Sequence, residues 1–226
     1  MGFTKEAAGE CGPGCLTKAE PEARLAALGR ALSLEYITVG WNVVEGIAGV
    51  TTALLAGSVA LLGFGIDSFI ECASALVIAW RLRAERDRRL DGQRLDIVER
   101  GARRLVGGLL FLLAVYVVVD AAGTLRAADR PSFSLGGVLL MIVSAAVMLW
   151  LARAKRRLAR TLGSEAMEAD AFQTTACWWL SLSALTGVGL NGLFGWWWAD
   201  PMAAFVVAGL IVREGRAAWR GRRCAC

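Results

Sequence analysis

Residues 65–83 read GIDSFIECASALVIAWRLR and hold the strongest signal for the architecture of the chain. It is mostly apolar, yet it carries two carboxylates, Asp67 and Glu71, four residues apart. On an α-helix, residues at i and i+4 share one face, so both carboxylates would lie on the same side of a helix apolar enough for lipid. Like charges that close repel each other, and burial raises the cost of each charge, so the pair requires a compensating partner.

The composition of the whole chain indicates a membrane protein. Hydrophobic residues make up 56% of the 226 residues and the mean hydropathy is +0.51, which is too apolar for an ordinary soluble domain. The first thirty residues are charged and contain Pro and Gly, with no apolar segment followed by a cleavage site, so we predict no signal peptide. The net charge of +5 comes from arginines in short segments between apolar spans, which favours a role in topology over nucleic-acid binding.

The apolar pattern predicts an all-α integral membrane protein, a bundle of six transmembrane helices. The predicted spans are residues 34–56, 58–80, 105–125, 133–152, 166–190 and 197–213. Arginine and lysine concentrate after the second, fourth and sixth spans, so the positive-inside rule predicts that both termini are cytoplasmic.

Three segments follow from this topology. We expect a cytoplasmic tail over 1–33 with a short interfacial helix over 19–33, a transmembrane domain over 34–213, and a short cytoplasmic tail over 214–226. The lipid bilayer is therefore the expected surrounding, and we expect no nucleic-acid partner. The Ala- and Arg-rich composition suggests the inner membrane of a bacterium as the location.

The fifth predicted span supplies polar residues at helical spacing. In EADAFQTTACWWLSL, residues 168–182, Asp170, Gln173 and Cys177 follow i, i+3, i+7 spacing, which is one face of a helix. At about 1.5 Å per residue, Gln173 lies about 12 Å and Cys177 about 18 Å from the inner end of its span, and Asp67 about 13 Å from the outer end of the second. At similar depths, four side chains could form one cation site: those of Asp67, Glu71, Gln173 and Cys177.

Two interpretations of these residues stay open. A bound cation would relieve the repulsion between the two carboxylates, and ionisable residues inside a span mark a transport path by default. Alternatively, the carboxylates are a protonated or hydrogen-bonded pair that helps the helices pack, with Cys177 as a small core residue and Gln173 in a helix–helix hydrogen bond. The chain has no histidine, so the usual metal ligand and neutral-pH proton carrier is missing.

Three segments resemble the cation diffusion facilitator family. Residues 58–83 resemble its second helix, in which two acidic residues lie four apart after a segment of small residues. ADAFQTTAC at 169–177 resembles its fifth helix, which begins Ala-Asp and carries two ligands four apart, and WADP at 198–201 resembles the start of its sixth. The resemblance covers about 34–216 and implies six helices with both termini inside.

The resemblance implies a metal site on Asp67 and Glu71 of the second helix and on Gln173 and Cys177 of the fifth. The family's zinc transporters usually have His and Asp at the second pair, so this chain departs from them there. Two carboxylates, an amide and a thiol suit Zn²⁺, Cd²⁺, Co²⁺ or Fe²⁺, whereas Mg²⁺ or Ca²⁺ would fit poorly with a thiolate.

The function implied is secondary transport: efflux of a divalent transition metal by alternating access, in exchange for protons. The metal would be transported cargo, with no permanently bound cofactor, and the protons would bind Asp67, Glu71 or another carboxylate. Family members usually continue into a soluble cytoplasmic domain that helps them dimerise. Here the chain stops about ten residues after the last predicted helix, so we expect a homodimer to form through the membrane part.

Other polar residues suggest supporting roles. The candidates for an ion pathway are Asn42, Glu45, Asp120 and Asp170. Thiols near both termini would capture a soft metal on the cytoplasmic side, and these are Cys11, Cys15, Cys224 and Cys226.

Two other classes of protein compete with a transporter. GFGID at 63–67 resembles the GxGD motif of intramembrane aspartyl proteases, but the spacing is off by one residue and no second Asp has a matching context, so we expect no enzyme. A non-transporting membrane protein with a degraded metal site, responding to metal or binding a partner, would explain the unusual Gln173 and Cys177.

Overall fold

The computed structural model describes residues 21–56, 59–87, 92–127 and 135–221, and these form six helices. In chain order they are α1 (Pro21–Ala56), α2 (Val59–Arg86), α3 (Gly92–Ala127), α4 (Leu135–Leu162), α5 (Glu165–Phe194) and α6 (Ala199–Arg220). This arrangement is consistent with the predicted helical membrane bundle. Within the described residues, one helix, Gly92–Ala127, has both the length and the apolar composition needed to cross a membrane. That all six helices are spans stays a prediction.

The helices extend further than the predicted spans. Residues 21–33, where a short helix was expected, are helical but belong to α1, which runs without interruption for 36 residues; that they lie at the membrane interface stays a prediction. No proline follows Pro21 within α1, and Arg24 pairs with Glu85 of α2 at 2.6 Å, so the first turns pack on the bundle as part of the same helix. The arginine-rich segments expected as loops are likewise largely helical, since α2 continues to Arg86 and α4 to Leu162.

Charged residues concentrate at the end of the bundle where α1 and α3 begin and α2 and α4 end, here called the basic end. Arg81 is 3% exposed and lies 2.8 Å from Glu85 and 2.6 Å from Glu99. Arg103 donates to the carbonyl oxygen of Ala218 at 2.5 Å. Some of the arginines assigned to topology therefore also join helices through buried bonds.

Four helices enclose the centre of the bundle. They contact one another in a closed order, α1 with α2, α2 with α5, α5 with α4, and α4 with α1. The α3–α6 pair packs beside this ring, against α2 and α5. The two helices of the pair approach closely, since a Cβ atom at Gly107 would lie 3.3 Å from the carbonyl oxygen of Gly215. Glycine at both positions permits that backbone contact.

The bundle exposes large apolar side chains and, within a mostly apolar interior, buries several charged and polar ones. Large apolar side chains such as Val119, which is 66% exposed, face outwards. Fully buried side chains include Glu35, Lys155, Asp170 and Gln173. An apolar exterior around buried polar groups suits a bundle surrounded by lipid and lined inside by a path for a polar solute.

Candidate metal centre

A column of buried polar side chains runs along the inside of the four-helix ring. On α1, Glu35, Thr38, Asn42 and Glu45 follow i, i+3, i+7, i+10 spacing and are at most 3% exposed. Polar residues of α2, α4 and α5 face them across the ring. The space between helices elsewhere in the bundle is filled mainly by apolar side chains. A hydrated or charged ligand would therefore be least costly to bury in this column.

The two carboxylates of α2 meet the thiol of α5 within this column. Cys177 lies within hydrogen-bonding reach of the carboxyl groups of both Asp67 and Glu71, and Thr174 lies within reach of Glu71. One oxygen of each carboxyl group, Oδ1 of Asp67 and Oε1 of Glu71, is buried without a hydrogen-bond partner. Buried polar atoms are almost always partnered, so two such oxygens side by side mark a place that favours a cation.

Gln173 is a third buried side chain with polar atoms that lack a hydrogen-bond partner. Its side chain is fully buried, and neither its amide oxygen nor its amide nitrogen has a hydrogen-bond partner. An amide buried without a bond costs about 1–3 kcal/mol, so this side chain is also poised for a ligand. The structure therefore places all four sequence-predicted ligands in one column, on facing sides of α2 and α5.

The four predicted ligands do not form a complete coordination shell. Among the described residues, no three side chains of His, Cys, Asp or Glu gather around a common point as a metal would require. The thiol of Cys177 thus contacts the carboxyl groups pairwise.

The predicted pathway residues divide between column and exterior. Asn42 and Glu45 line the column: the hydroxyl of Ser144 donates to Glu45 Oε1, and Asn42 donates to the carbonyl oxygen of Thr38 at 3.0 Å. Glu45 also interacts electrostatically with both carboxylates of α2. Asp120 lies on α3, which is not part of the ring, and is partly exposed.

Asp170, the fourth candidate for the ion pathway, lies in the column and is paired with a lysine. Its Oδ2 accepts a hydrogen bond from Lys155 at 2.6 Å, and Lys155 lies 2.8 Å from Glu35 as well. Sequence reasoning missed Glu35 and assigned Lys155 to an exposed basic loop, although Lys155 is fully buried. The helical spacing of Glu35 from Asn42 and Glu45 could have placed Glu35 on the same buried face.

The proposed thiol capture site lies outside the described residues. Cys11, Cys15, Cys224 and Cys226 all fall in the terminal segments that the structure does not describe. The two cysteines within the described part, Cys72 and Cys177, are buried free thiols.

Comparison with known proteins adds an independent result. The profile of the cation efflux transmembrane domain matches residues 36–220. An uncharacterized transporter of Synechocystis is 27% identical over 169 residues, which cover 71% of this chain and 53% of the relative. A cadmium, cobalt and zinc/H(+)-K(+) antiporter of Bacillus subtilis is 26% identical over 193 residues, 82% of this chain and 59% of the relative, and one of Bacillus velezensis matches equally. The chain spans somewhat more than half the length of these relatives.

Proposed function

This chain belongs to the cation efflux family, which confirms the resemblance found in its sequence, and we propose that it transports divalent transition-metal cations across the membrane. The observation that carries the proposal is the set of unpartnered buried atoms of Asp67, Glu71 and Gln173 beside the thiol of Cys177. A cation between α2 and α5 would satisfy the oxygen atoms of this set together. Alternating exposure of this column to the two sides would move the ion.

The donor set supports a borderline or soft metal. Carboxylate oxygens accept many divalent ions, but the thiol favours Zn²⁺, Cd²⁺, Co²⁺ or Fe²⁺ over Mg²⁺ and Ca²⁺. Two relatives are antiporters of cadmium, cobalt and zinc by name. We take Zn²⁺ and Cd²⁺ as the first cations to test, because a thiol together with carboxylates is a familiar ligand set for both.

Exchange with protons is the second part of the proposal. A metal binds the deprotonated forms of Asp67, Glu71 and Cys177, so binding displaces protons from whichever of them carry one. Release of the metal on the far side would let protons return to the same atoms. The chain then works as an exporter in the bacterial inner membrane, as a homodimer formed through its membrane part.

The test is metal flux into proteoliposomes, with Zn²⁺, Cd²⁺, Co²⁺, Fe²⁺ and Mn²⁺ supplied in turn. We expect saturable uptake of at least one metal, accompanied by proton movement in the opposite direction. Asp67→Asn keeps the size of the side chain but removes its charge, and we expect it to abolish uptake. Asp96→Asn is the matched control, because Asp96 is exposed on α3 at the basic end.

Three outcomes separate the possibilities. Uptake lost in Asp67→Asn and kept in Asp96→Asn supports a transporter with its site on α2. Uptake by both variants would place the path elsewhere. Specific binding of metal to the wild type without any uptake would favour a metal-responsive protein that does not transport.

A further inference from the structure

Four polar side chains, one from each helix of the ring, meet between the metal centre and the basic end. Lys155 Nζ of α4 lies 2.6 Å from Asp170 Oδ2 of α5 and 2.8 Å from Glu35 Oε2 of α1. The hydroxyl of Ser74 on α2 donates to Asp170 Oδ1 at 2.5 Å. All four side chains are fully buried, and we call Glu35, Ser74, Lys155 and Asp170 the lysine layer.

The lysine layer lies one helical turn from the metal centre. The pairs Asp67–Cys177 and Ser74–Asp170 run in opposite chain directions, so α2 and α5 are antiparallel. Ser74 follows Glu71 by three residues and Asp170 precedes Gln173 by three, so on both helices the layer is displaced by about 4.5 Å. Both displacements point toward the basic end, where α2 ends and α5 begins.

An apolar layer lies directly beyond it on the same side. One turn further toward the basic end, each helix of the ring places a buried side chain in the same hydrophobic cluster, namely Leu32, Ile78, Ala159 and Met167. Water and ions are excluded from such a packed cluster. The column is therefore closed between the metal centre and the basic end, first by the lysine layer and then by apolar packing.

The chemistry of the layer suits a barrier to cations. The ammonium group of Lys155 lies between two carboxylates and neutralises them, so neither is free to take up a cation that approaches along the same path. It also joins α1 to α5 through α4, because its two carboxylate partners come from different helices. A buried ion pair of this kind is costly to break when only one partner is removed.

We propose that the lysine layer is the gate at the basic end, and that a metal reaches the central site from that side only after Lys155 leaves Glu35 and Asp170. The proposal rests on the transport function proposed above and adds to it the residue that controls access. Lys155 holds the ring closed without contacting the metal. Sequence topology predicts that the gated side is the cytoplasm.

Cys177 provides a native reporter of access. In the full-length chain with the other five cysteines changed to serine, its rate of reaction with a membrane-impermeant, positively charged methanethiosulfonate reports whether the centre is open. The reagent is added from either side of the membrane, in the absence of metal. For the parent chain, we expect slow reaction from the side of the basic end.

Lys155→Met removes the ammonium at similar size, and we expect Cys177 to react at least about tenfold faster from the side of the basic end. Lys155→Arg keeps the charge, and we expect a rate near that of the parent. Because Lys155→Met leaves two buried carboxylates without a cation and is expected to destabilise the fold, the combined variant Lys155→Met/Glu35→Gln/Asp170→Asn tests the same opening with no uncompensated charge. We expect the combined variant to react faster too.

Two results would overturn the proposal. One is fast reaction of the parent chain from the basic end, because the gate would then be open at rest. The other is a parent-like rate in the combined variant, because the layer would then have no part in closing the column. Both readings use labelling without metal, so they are independent of whether the flux experiment succeeds.

Discussion

Two polar layers, one turn apart in the same column, differ in how their charges are satisfied. In the lysine layer, the carboxylates of Glu35 and Asp170 share an internal cation, and Asp170 also accepts from Ser74. Buried oxygens without a hydrogen bond occur at both levels, on Glu35 as well as on Asp67 and Glu71, but those of Asp67 and Glu71 face a thiol and an unpartnered amide where Glu35 faces an ammonium. The chain thus supplies its own counter-ion at one level and leaves the next level for a cation from outside.

This contrast separates a structural charge from a functional one inside a membrane protein. A carboxylate with a built-in partner contributes to stability, and its removal should weaken the fold. A carboxylate without a partner costs free energy, and its removal should weaken binding but leave the fold intact. Each prediction below tests this contrast.

The largest expected effect is on metal binding at the centre. In Asp67→Asn/Glu71→Gln we expect no heat of Cd²⁺ binding by calorimetry, because both charged ligands are lost. The melting temperature of this variant in detergent should equal or exceed that of the wild type, since two buried charges are gone. A clear drop in melting temperature, with binding lost, would mean that these carboxylates stabilise the fold as those of the lysine layer do.

The next effect is on stability at the lysine layer. We expect Lys155→Met to lower the free energy of unfolding by about 3–5 kcal/mol, since it leaves Glu35 and Asp170 buried without a cation. Denaturant unfolding in mild detergent measures the loss. The combined Lys155→Met/Glu35→Gln/Asp170→Asn variant should recover most of it. A single variant as stable as the wild type would show that Lys155 is not needed to balance the two carboxylates.

A third effect is stabilisation of the folded chain by metal. At a free Cd²⁺ concentration of 100 times Kd, binding should raise the free energy of unfolding by about 2.7 kcal/mol. Thermal unfolding with and without Cd²⁺ measures it. Cys177→Ser should reduce the gain for Cd²⁺ more than that for Mn²⁺, because the thiol is the soft donor. Equal losses for the two metals would count against Cys177 as a ligand.

The smallest effect concerns the hydroxyl that supports Asp170. Ser74→Ala removes one donor to a buried carboxylate, and we expect the free energy of unfolding to fall by about 1–3 kcal/mol. Ser33→Ala is the matched control, because the Ser33 hydroxyl donates to the carbonyl oxygen of Gly29 on an exposed face of α1. The control should change stability by no more than about 0.5 kcal/mol. Equal losses of stability at both positions would show that the Ser74 hydroxyl does not stabilise the lysine layer.

The residues of the proposed centre could be singled out from the sequence because the signal there is local. Spacing on one helix places Asp67 beside Glu71, and spacing on another places Gln173 on the same face as Cys177. Depth arithmetic then brings the two pairs together, and the structure places them in one column. Their role as ligands stays a prediction.

The lysine layer could not be predicted in the same way because its partners come from four different helices. Lys155 precedes a run of arginines, and next to them a lysine indicates topology, not burial. Only the packing of α4 between α1 and α5 turns its side chain inwards. The full lengths of α1 and α3 were not predicted either, because the charged helical turns beyond an apolar span carry no hydropathy signal of their own.

The unbroken course of α1 has a mechanical consequence. This one helix carries Arg24 at the basic end, Glu35 in the lysine layer and Asn42 near the centre. From Arg24 to Asn42 it is a rod about 27 Å long, at about 1.5 Å per residue. Pivoted at one end, a tilt of about 10° displaces the other by about 5 Å, which is close to one helical turn. This displacement is sideways, so a small angular movement at the ion pairs of the basic end would carry Asn42 across the column by about 5 Å.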